Sequence, residues 1–225
     1  MKIGLMSDLH GDLPEYVEPC ELIIISGDIS PLKIQSGNTK MRKWLSNKFL
    51  PWATKLPCDK VLFIAGNHDL SFANIEFMRT WFKYDYKVTY LFHENYIYTS
   101  KDGKEYSIFG TPYCKLFGNW AFMEFNDKLK ELYSEIPENL DILITHDCPY
   151  GWGDIITDDV PWNNGEHIGN KPLAEAVLEK KPKIMVHGHL HSAQRYIEMG
   201  ETKKYNASLK DERYFSVYPI TYIDI

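Results

Sequence analysis

The sequence predicts an α/β protein with mixed β-sheets, and three observations carry that expectation. Five short runs are almost continuously apolar: KIGLMS (2–7), ELIIIS (21–26), KVLFIA (60–65), DILIT (141–145) and KIMVH (183–187). Strands covered on both faces read this way, whereas a strand with one wet face alternates. Amphipathic, helix-like segments lie between the runs, and hairpin-like patterns follow. Strands alternating with helices and then with hairpins place both kinds of layer around one core. At 225 residues and 44% hydrophobic, the chain can bury one sizeable core, so a single domain over 1–225 is expected.

After the first two runs, TKMRKWLSNKFLPW (39–52) sets Met41, Trp44, Leu45, Phe49 and Trp52 on one helical stripe. SFANIEFMRTWF (71–82) is amphipathic as well. Residues 96–110, IYTSKDGKEYSIFG, are two β-prone stretches about a turn at Lys101-Asp102-Gly103-Lys104, which predicts a hairpin. KPLAEAVLEK (171–180) predicts a helix that tolerates Pro172 in its first turn. The C-terminal stretches KKYNAS and YFSVYPITYIDI favour strands.

A formal net charge of -6 argues against a general surface for polyanions, which are gripped by clustered Lys and Arg. No specific nucleic-acid polymer is expected as a partner. The four cysteines, Cys20, Cys58, Cys114 and Cys148, form no CxxC pair, and MKIGLMSDLH has too short an apolar run for a secretory leader. A reduced, cytoplasmic setting is therefore expected, in which the acceptor sequence Asn206-Ala207-Ser208 stays unmodified. No run approaches the roughly 18 apolar residues of a membrane span.

Each apolar run ends in polar groups of a restricted kind. They are Asp8-Leu9-His10, Gly27-Asp28, Gly66-Asn67-His68-Asp69, His146-Asp147 and His187-Gly188-His189-Leu190-His191. In open α/β sheets ligands bind beyond the carboxyl ends of the strands. Carboxylate, amide oxygen and imidazole together suit Mn, Fe or Zn. One ion takes four to six ligands, the tips offer seven, and one aspartate can bridge two ions, which favours a dinuclear site. Two divalent ions outweigh the charges of Asp8 and Asp28, so the site should attract phosphate. Two ions about 4 Å apart support in-line displacement by a bridging hydroxide.

Asp-x-His, Gly-Asp, Gly-Asn-His-Asp, a lone His after a strand, and Gly-His-x-His, in that order, resemble the calcineurin-like metallophosphoesterases over almost the whole chain. FGTPYCKLFGNWAF (109–122), DILITHDCPYGWGD (141–154) and YNAS resemble the MPPED/239AB-like phosphodiesterase branch. The resemblance implies a four-layer αββα sandwich of two mixed sheets flanked by helices. It implies that Asp8, His10 and His191 hold one ion and that Asn67, His146 and His189 hold the other, with Asp28 bridging. His68 would stand over the leaving group as an acid, and Asp69 would orient or charge-tune His68.

Outside the motifs, His187 is expected to support the loop through hydrogen bonds, and His93 and His167 to be surface or supporting residues. Asp147-Cys148 departs from the Gly-Pro-like pair of the branch and is read as a turn. Tyr113, Phe117, Asn119 and Trp120 are either a packed loop or a wall on which a base stacks. The function expected is a phosphodiesterase on a small nucleotide-type phosphodiester. A phosphomonoesterase is the alternative, and a non-catalytic scaffold of the same fold a third. Oligomeric state is not legible.

Overall fold

The computed structural model describes residues 1–73, 87–161 and 165–225. The first strands are β1 (Lys2–Met6), β2 (Leu22–Ser26), β3 (Lys60–Ile64) and β4 (Val88–Tyr90). Next come β5 (Glu94–Thr99) and β6 (Glu105–Thr111), then the two-residue strands β7 (Cys114–Lys115) and β8 (Met123–Glu124). The rest are β9 (Ile142–Thr145), β10 (Ile184–His187), β11 (Tyr196–Met199), β12 (Thr202–Asn206) and β13 (Thr221–Asp224). One sheet has the order β13-β1-β2-β3-β4 and the other β11-β12-β10-β9-β6-β5. β1 to β4 are parallel and β13 closes their edge antiparallel, in register Ile3 with Ile223. In the second sheet β6, β9, β10 and β12 are parallel, while β5 and β11 pair antiparallel at its edges. The expected hairpin is β5–β6, with Thr99 opposite Glu105 across the turn.

The continuous apolar runs follow from burial on both faces. Leu22 and Ile24 of β2, with Ile3, Leu5, Leu62 and Ile64, meet Ile108, Ile142, Ile144, Ile184 and Val186 of the other sheet. The alternate residues Ile23, Ile25, Val61 and Phe63 face Met41, Leu45, Phe49 and Ala53 on the outer helical segment. On the far side, Phe109, Leu143 and Met185 pack on helices α3 (Asn126–Ser134) and α4 (Lys171–Lys180) through Leu129, Tyr133, Leu173 and Val177. Helix, sheet, sheet and helices make four layers, as expected. Each such Leu, Ile or Phe contributes about 1.5–3 kcal/mol by leaving water. The Asn170 side chain accepts the Leu173 N–H to cap α4, ahead of Pro172.

The expected 39–52 helix is α1 (Asn38–Trp44), a π-helical turn (Leu45–Phe49) and α2 (Leu50–Lys55). Pro51 lacks an N–H and crowds the carbonyl four residues back, and the widened turn accommodates it. Of the segment 71–82, residues up to 73 belong to a 3-10 turn, Leu70–Ala73, and the remainder lies outside the described residues. Of YFSVYPITYIDI, only Thr221–Asp224 is strand. No helix among the described residues is long and apolar enough to cross a membrane.

Candidate metal centre

β1, β2 and β3 are parallel, as are β9 and β10, so each sheet presents its motif loops at one edge. The loops after β1 and β2 are laced by backbone bonds: Asp8 N–H donates to Gly27 O at 3.0 Å and His10 N–H to Asp28 O at 2.9 Å. The loops after β9 and β10 are joined by Gly188 N–H to His146 O at 3.1 Å. The two pairs close on each other where the His189 N–H donates to the Asp8 carboxylate at 3.2 Å. The motif glycines keep this approach open. A Cβ on Gly66 would overlap the Asp28 carboxylate, and one on Gly188 the side chains of Ser7 and Asp8. Asp8, His10, Asp28 and His189 all have φ between 44° and 69°. Non-glycine residues keep that left-handed conformation where the surroundings over-determine it, as they do at functional sites.

All seven sequence-predicted ligands converge. Asp8, His10 and His191 form one set that can hold a metal, and Asp8, Asp28 and His146 another, with ligand atoms within 4.8 Å of one another in each. Asp28 Oδ2 lies 3.3 Å from His146 Nε2 and 3.7 Å from His10 Nε2, between the two groups. Asn67 Oδ1 sits 3.1 Å from His146 Nε2 and 2.9 Å from His189 Nδ1. His146 Nδ1 donates to Ser26 O at 2.8 Å and His191 Nδ1 to Asp211 O at 2.8 Å, which aims each Nε2 inward. Both ring nitrogens of His10 are buried without a hydrogen-bond partner among the described residues. An orphaned buried imidazole beside two carboxylates is what a divalent cation would satisfy, and the mixed oxygen and nitrogen donors suit Mn, Fe or Zn.

The electrostatics carry the same message. Burial alone would raise the Asp8 pKa, but His191, His146 and His10 hold it well below the usual carboxylate range. His146, despite burial, is pushed up to about 10 by Asp28, and His191 to about 9 by Asp8. Burial lowers His10 and His189 to about 4. The carboxylates thus favour positive charge at His146 and His191, which is what a bound cation would provide.

His68 belongs to this group through its backbone, whose N–H donates to Asp28 Oδ1 at 2.8 Å. Its side chain corrects one expectation. His68 Nδ1 meets Gln35 Oε1 at 2.7 Å, whereas the buried Asp69 carboxylate accepts N–H bonds from Gly66 at 2.8 Å, Ser30 at 2.9 Å and Ile29 at 3.3 Å. Asp69 therefore ties the loop after β3 to the loop after β2, and Gln35 orients His68. Burial, with Asp28 close by, pushes Asp69 up to about 6.

A cavity of about 510 Å³ opens over the cluster, lined in part by Asp28, Asn67, His68, His189 and His191. Of the expected wall, Trp120 and Phe117 line it, with ring centroids 4.3 Å from His68 and 5.3 Å from His189 respectively. Tyr113 and Asn119 do not. Tyr113 packs against Phe92 and His93, and Asn119 is exposed at the tip of the loop between β7 and β8. That loop is fixed to the motif after β3 by Ala121 N–H to Asn67 O at 3.0 Å. Sequence reasoning missed Lys115, Glu212 and Tyr214, which also line the cavity. Lys115 is the one Lys or Arg among the described lining residues, and its ammonium donates to the carbonyls of Ile168 and Gly169. A larger groove of about 650 Å³, between residues 11–18 and 209–222, contains none of the seven.

The remaining histidines are held elsewhere. Buried His187 sits between Gly188 O at 2.9 Å and Lys204 Nζ at 2.7 Å, so it supports the loop. His93 meets Thr111 and Glu135, and His167 meets Asp154 at 2.6 Å. The Asp147 carboxylate accepts from Lys115 N, Cys148 N and Asn170 Nδ2, which fits a turn, though its charge also favours the protonated form of His189.

Residues 1–193 match the Calcineurin-like phosphoesterase family. The chain belongs to that family. It is 30% identical to metallophosphoesterase domain-containing protein 1 of Homo sapiens, over 98% of this chain and 69% of that protein. A UPF0046 protein of Caenorhabditis elegans is 27% identical over 98% of this chain and 79% of that one. The crystal structure of TT1561 from Thermus thermophilus superposes with a TM-score of 0.55 at 14% identity, over 91% of this chain and 88% of that one. A second solved structure reaches 0.61 at 13% identity, over 91% and 89%, and these likenesses show the fold. Family membership implies divalent metal ions and suggests phosphoric ester hydrolysis; the arrangement above contains residues that can hold such ions.

Proposed function

We propose that this calcineurin-like phosphoesterase is a dinuclear, metal-dependent phosphodiesterase acting on a small nucleotide-type phosphodiester. The observation that carries the reading is the convergence of Asp8, His10, Asp28, Asn67, His146, His189 and His191 beneath a cavity that His68 also lines. Asp8, His10 and His191 would hold one ion, Asn67, His146 and His189 the other, and Asp28 both. Bound there, two ions would supply Lewis-acid charge to the phosphoryl oxygens and lower the pKa of the attacking water.

The chain's own residues do the rest. His68, held at Nδ1 by Gln35, would donate a proton from Nε2 to the departing oxygen in its imidazolium form, which burial disfavours and Asp28 favours. Asp69 keeps His68 and Asp28 in fixed relation by bonding both their loops. Phe117 and Trp120 keep water from the flanks, and Trp120 offers a face to a planar group. With Lys115 the one Lys or Arg among the described lining residues, and engaged by carbonyls, the cavity suits the single charge of a diester better than a dianionic monoester. We place this activity in the cytoplasm, in one domain spanning the chain, with no membrane or nucleic-acid polymer as partner.

The test compares bis(para-nitrophenyl) phosphate with para-nitrophenyl phosphate on protein loaded with Mn, Fe or Zn. Higher kcat/KM on the diester is expected. Higher kcat/KM on the monoester would make the protein a phosphomonoesterase, and no hydrolysis of either would make it a non-catalytic member of the fold.

A further inference from the structure

The turn Asp211–Phe215 lies beyond the part of the chain that matches the family, yet it forms a wall of the cavity. It is held from several sides. Asp211 N–H donates to Phe215 O at 2.9 Å, and Asp211 Oδ1 accepts the N–H groups of Arg213 at 2.9 Å and Phe215 at 2.8 Å. Glu212 N–H donates to Asp158 Oδ2 at 2.8 Å, and Glu212 Oε1 accepts Ser192 N–H at 3.0 Å. Asp211 O receives His191 Nδ1 at 2.8 Å.

At the tip, Tyr214 adopts φ 66°, a left-handed conformation that a bulky residue keeps only where its surroundings impose it. The consequence is the position of its ring. Tyr214 stands edge-on to His10 at 4.9 Å, to His191 at 5.3 Å and to His68 at 6.2 Å between centroids. It is nevertheless 39% exposed and lines the cavity. Trp120 occupies a different place, 4.3 Å from His68.

We propose that Tyr214 is a specificity-determining residue that contacts the organic group of the ester retained on phosphorus, while Trp120 flanks the departing alcohol. This rests on the phosphodiesterase reading above, because it uses His68 to mark the leaving side. Trp120 packs against His68 and so faces the oxygen that takes the proton. Tyr214 borders His10 and His191 and stands further from His68 than Trp120 does, 6.2 Å against 4.3 Å. It therefore lies beside the leaving direction, where the retained group, equatorial in an in-line displacement, can reach it. A planar, base-like retained group gains a stacking surface there, and a methyl group does not.

Two diesters sharing one leaving group isolate this role: the para-nitrophenyl ester of thymidylate and methyl para-nitrophenyl phosphate. Tyr214→Ala and Tyr214→Gly are each expected to lower kcat/KM on the thymidylate ester at least about ten-fold more than on the methyl ester. Tyr214→Phe, which keeps the ring, should retain the preference. Equilibrium dialysis of thymidylate against Mn-loaded protein gives a second readout: the Ala and Gly variants should bind it at least several-fold more weakly with unchanged Mn content. The glycine variant removes backbone strain, so a loss there belongs to the ring. Equal losses on both diesters, or unchanged thymidylate binding and selectivity, would overturn the assignment while leaving the phosphodiesterase reading intact. Wild-type protein inert on both diesters would instead remove that reading, and the inference with it.

Discussion

Asp69→Asn separates two roles that one carboxylate can have beside a catalytic histidine. In the structure Oδ2 accepts from Gly66 and Ile29 and Oδ1 from Ser30, all buried, and none of the three bonds reaches His68. An asparagine can place its oxygen at one of these positions only, so its amide must then face a backbone N–H donor. One buried N–H is left unsatisfied, at about 1–3 kcal/mol, and the remaining bonds lose their charge assistance. The expected loss is about 2–4 kcal/mol. For a chain of 225 residues that is a fall in Tm of roughly 4–16 °C. Calorimetry of metal-depleted wild type and variant reads the stability term, and competition titration with a Mn chelator reads the second consequence. Because Asp69 joins the loops carrying Asp28 and Asn67, the variant should also bind Mn more weakly. A Tm within about 2 °C of wild type, with Mn affinity intact but activity lost, would return Asp69 to the role of tuning His68.

His68→Ala should keep its metal content and lose about 100- to 10,000-fold in kcat on diesters with poor leaving groups, but less with para-nitrophenolate, which departs unprotonated. Equal losses on both would argue against an acid. Metal uptake near neutral pH should release protons, because His146 and His191 have pKa values raised to about 10 and about 9 and must give up their protons to ligate. Calorimetric titrations in buffers of different ionisation enthalpy read the number released, and none would contradict the proton-for-metal exchange. Asp141 accepts from Ser107 N–H at 2.8 Å and from Lys183 at 2.7 Å, and Lys183 and Ser107 outweigh burial to lower its pKa below 3.8. Its contribution to stability is therefore full above that value and is lost as the pH falls through the depressed one. Asp141→Asn should lower the Tm at neutral pH and converge on wild type in acid, below the depressed value, and an undiminished difference there would count against the pairing.

The parts of the fold legible in sequence were those with their own periodicity. Ile23 and Ile24 point into different cores, so β2 had to be apolar throughout, and the same holds for β1, β3, β9 and β10. β4 has three residues and β7 and β8 two each, too few to show any period, and they exist because neighbouring backbone stands ready to pair. The convergence of the ligands was legible because metal chemistry restricts residue types at fixed offsets from strand ends. Gln35 and Tyr214 were not, since nothing near them in sequence records that they approach His68, from 33 residues before it and from 146 after it. Tyr113 and Trp120 share one aromatic segment, and only their backbone directions decide that the first enters a helix-facing core and the second the cavity. Asp69 follows His68 in sequence, but the turn that carries both sends its carboxylate to backbone amides.

The proposed function depends on these seven side chains holding two ions with Asp28 between them. Elemental analysis of protein saturated with Mn and freed of excess metal tests it most directly, on wild type and Asp28→Asn together. Two ions per chain are expected in the wild type and weakened occupancy of both positions in the variant, because the lost charge faces both groups of ligands. A wild-type content of one ion or none would contradict it, as would an Asp28→Asn protein that retains both.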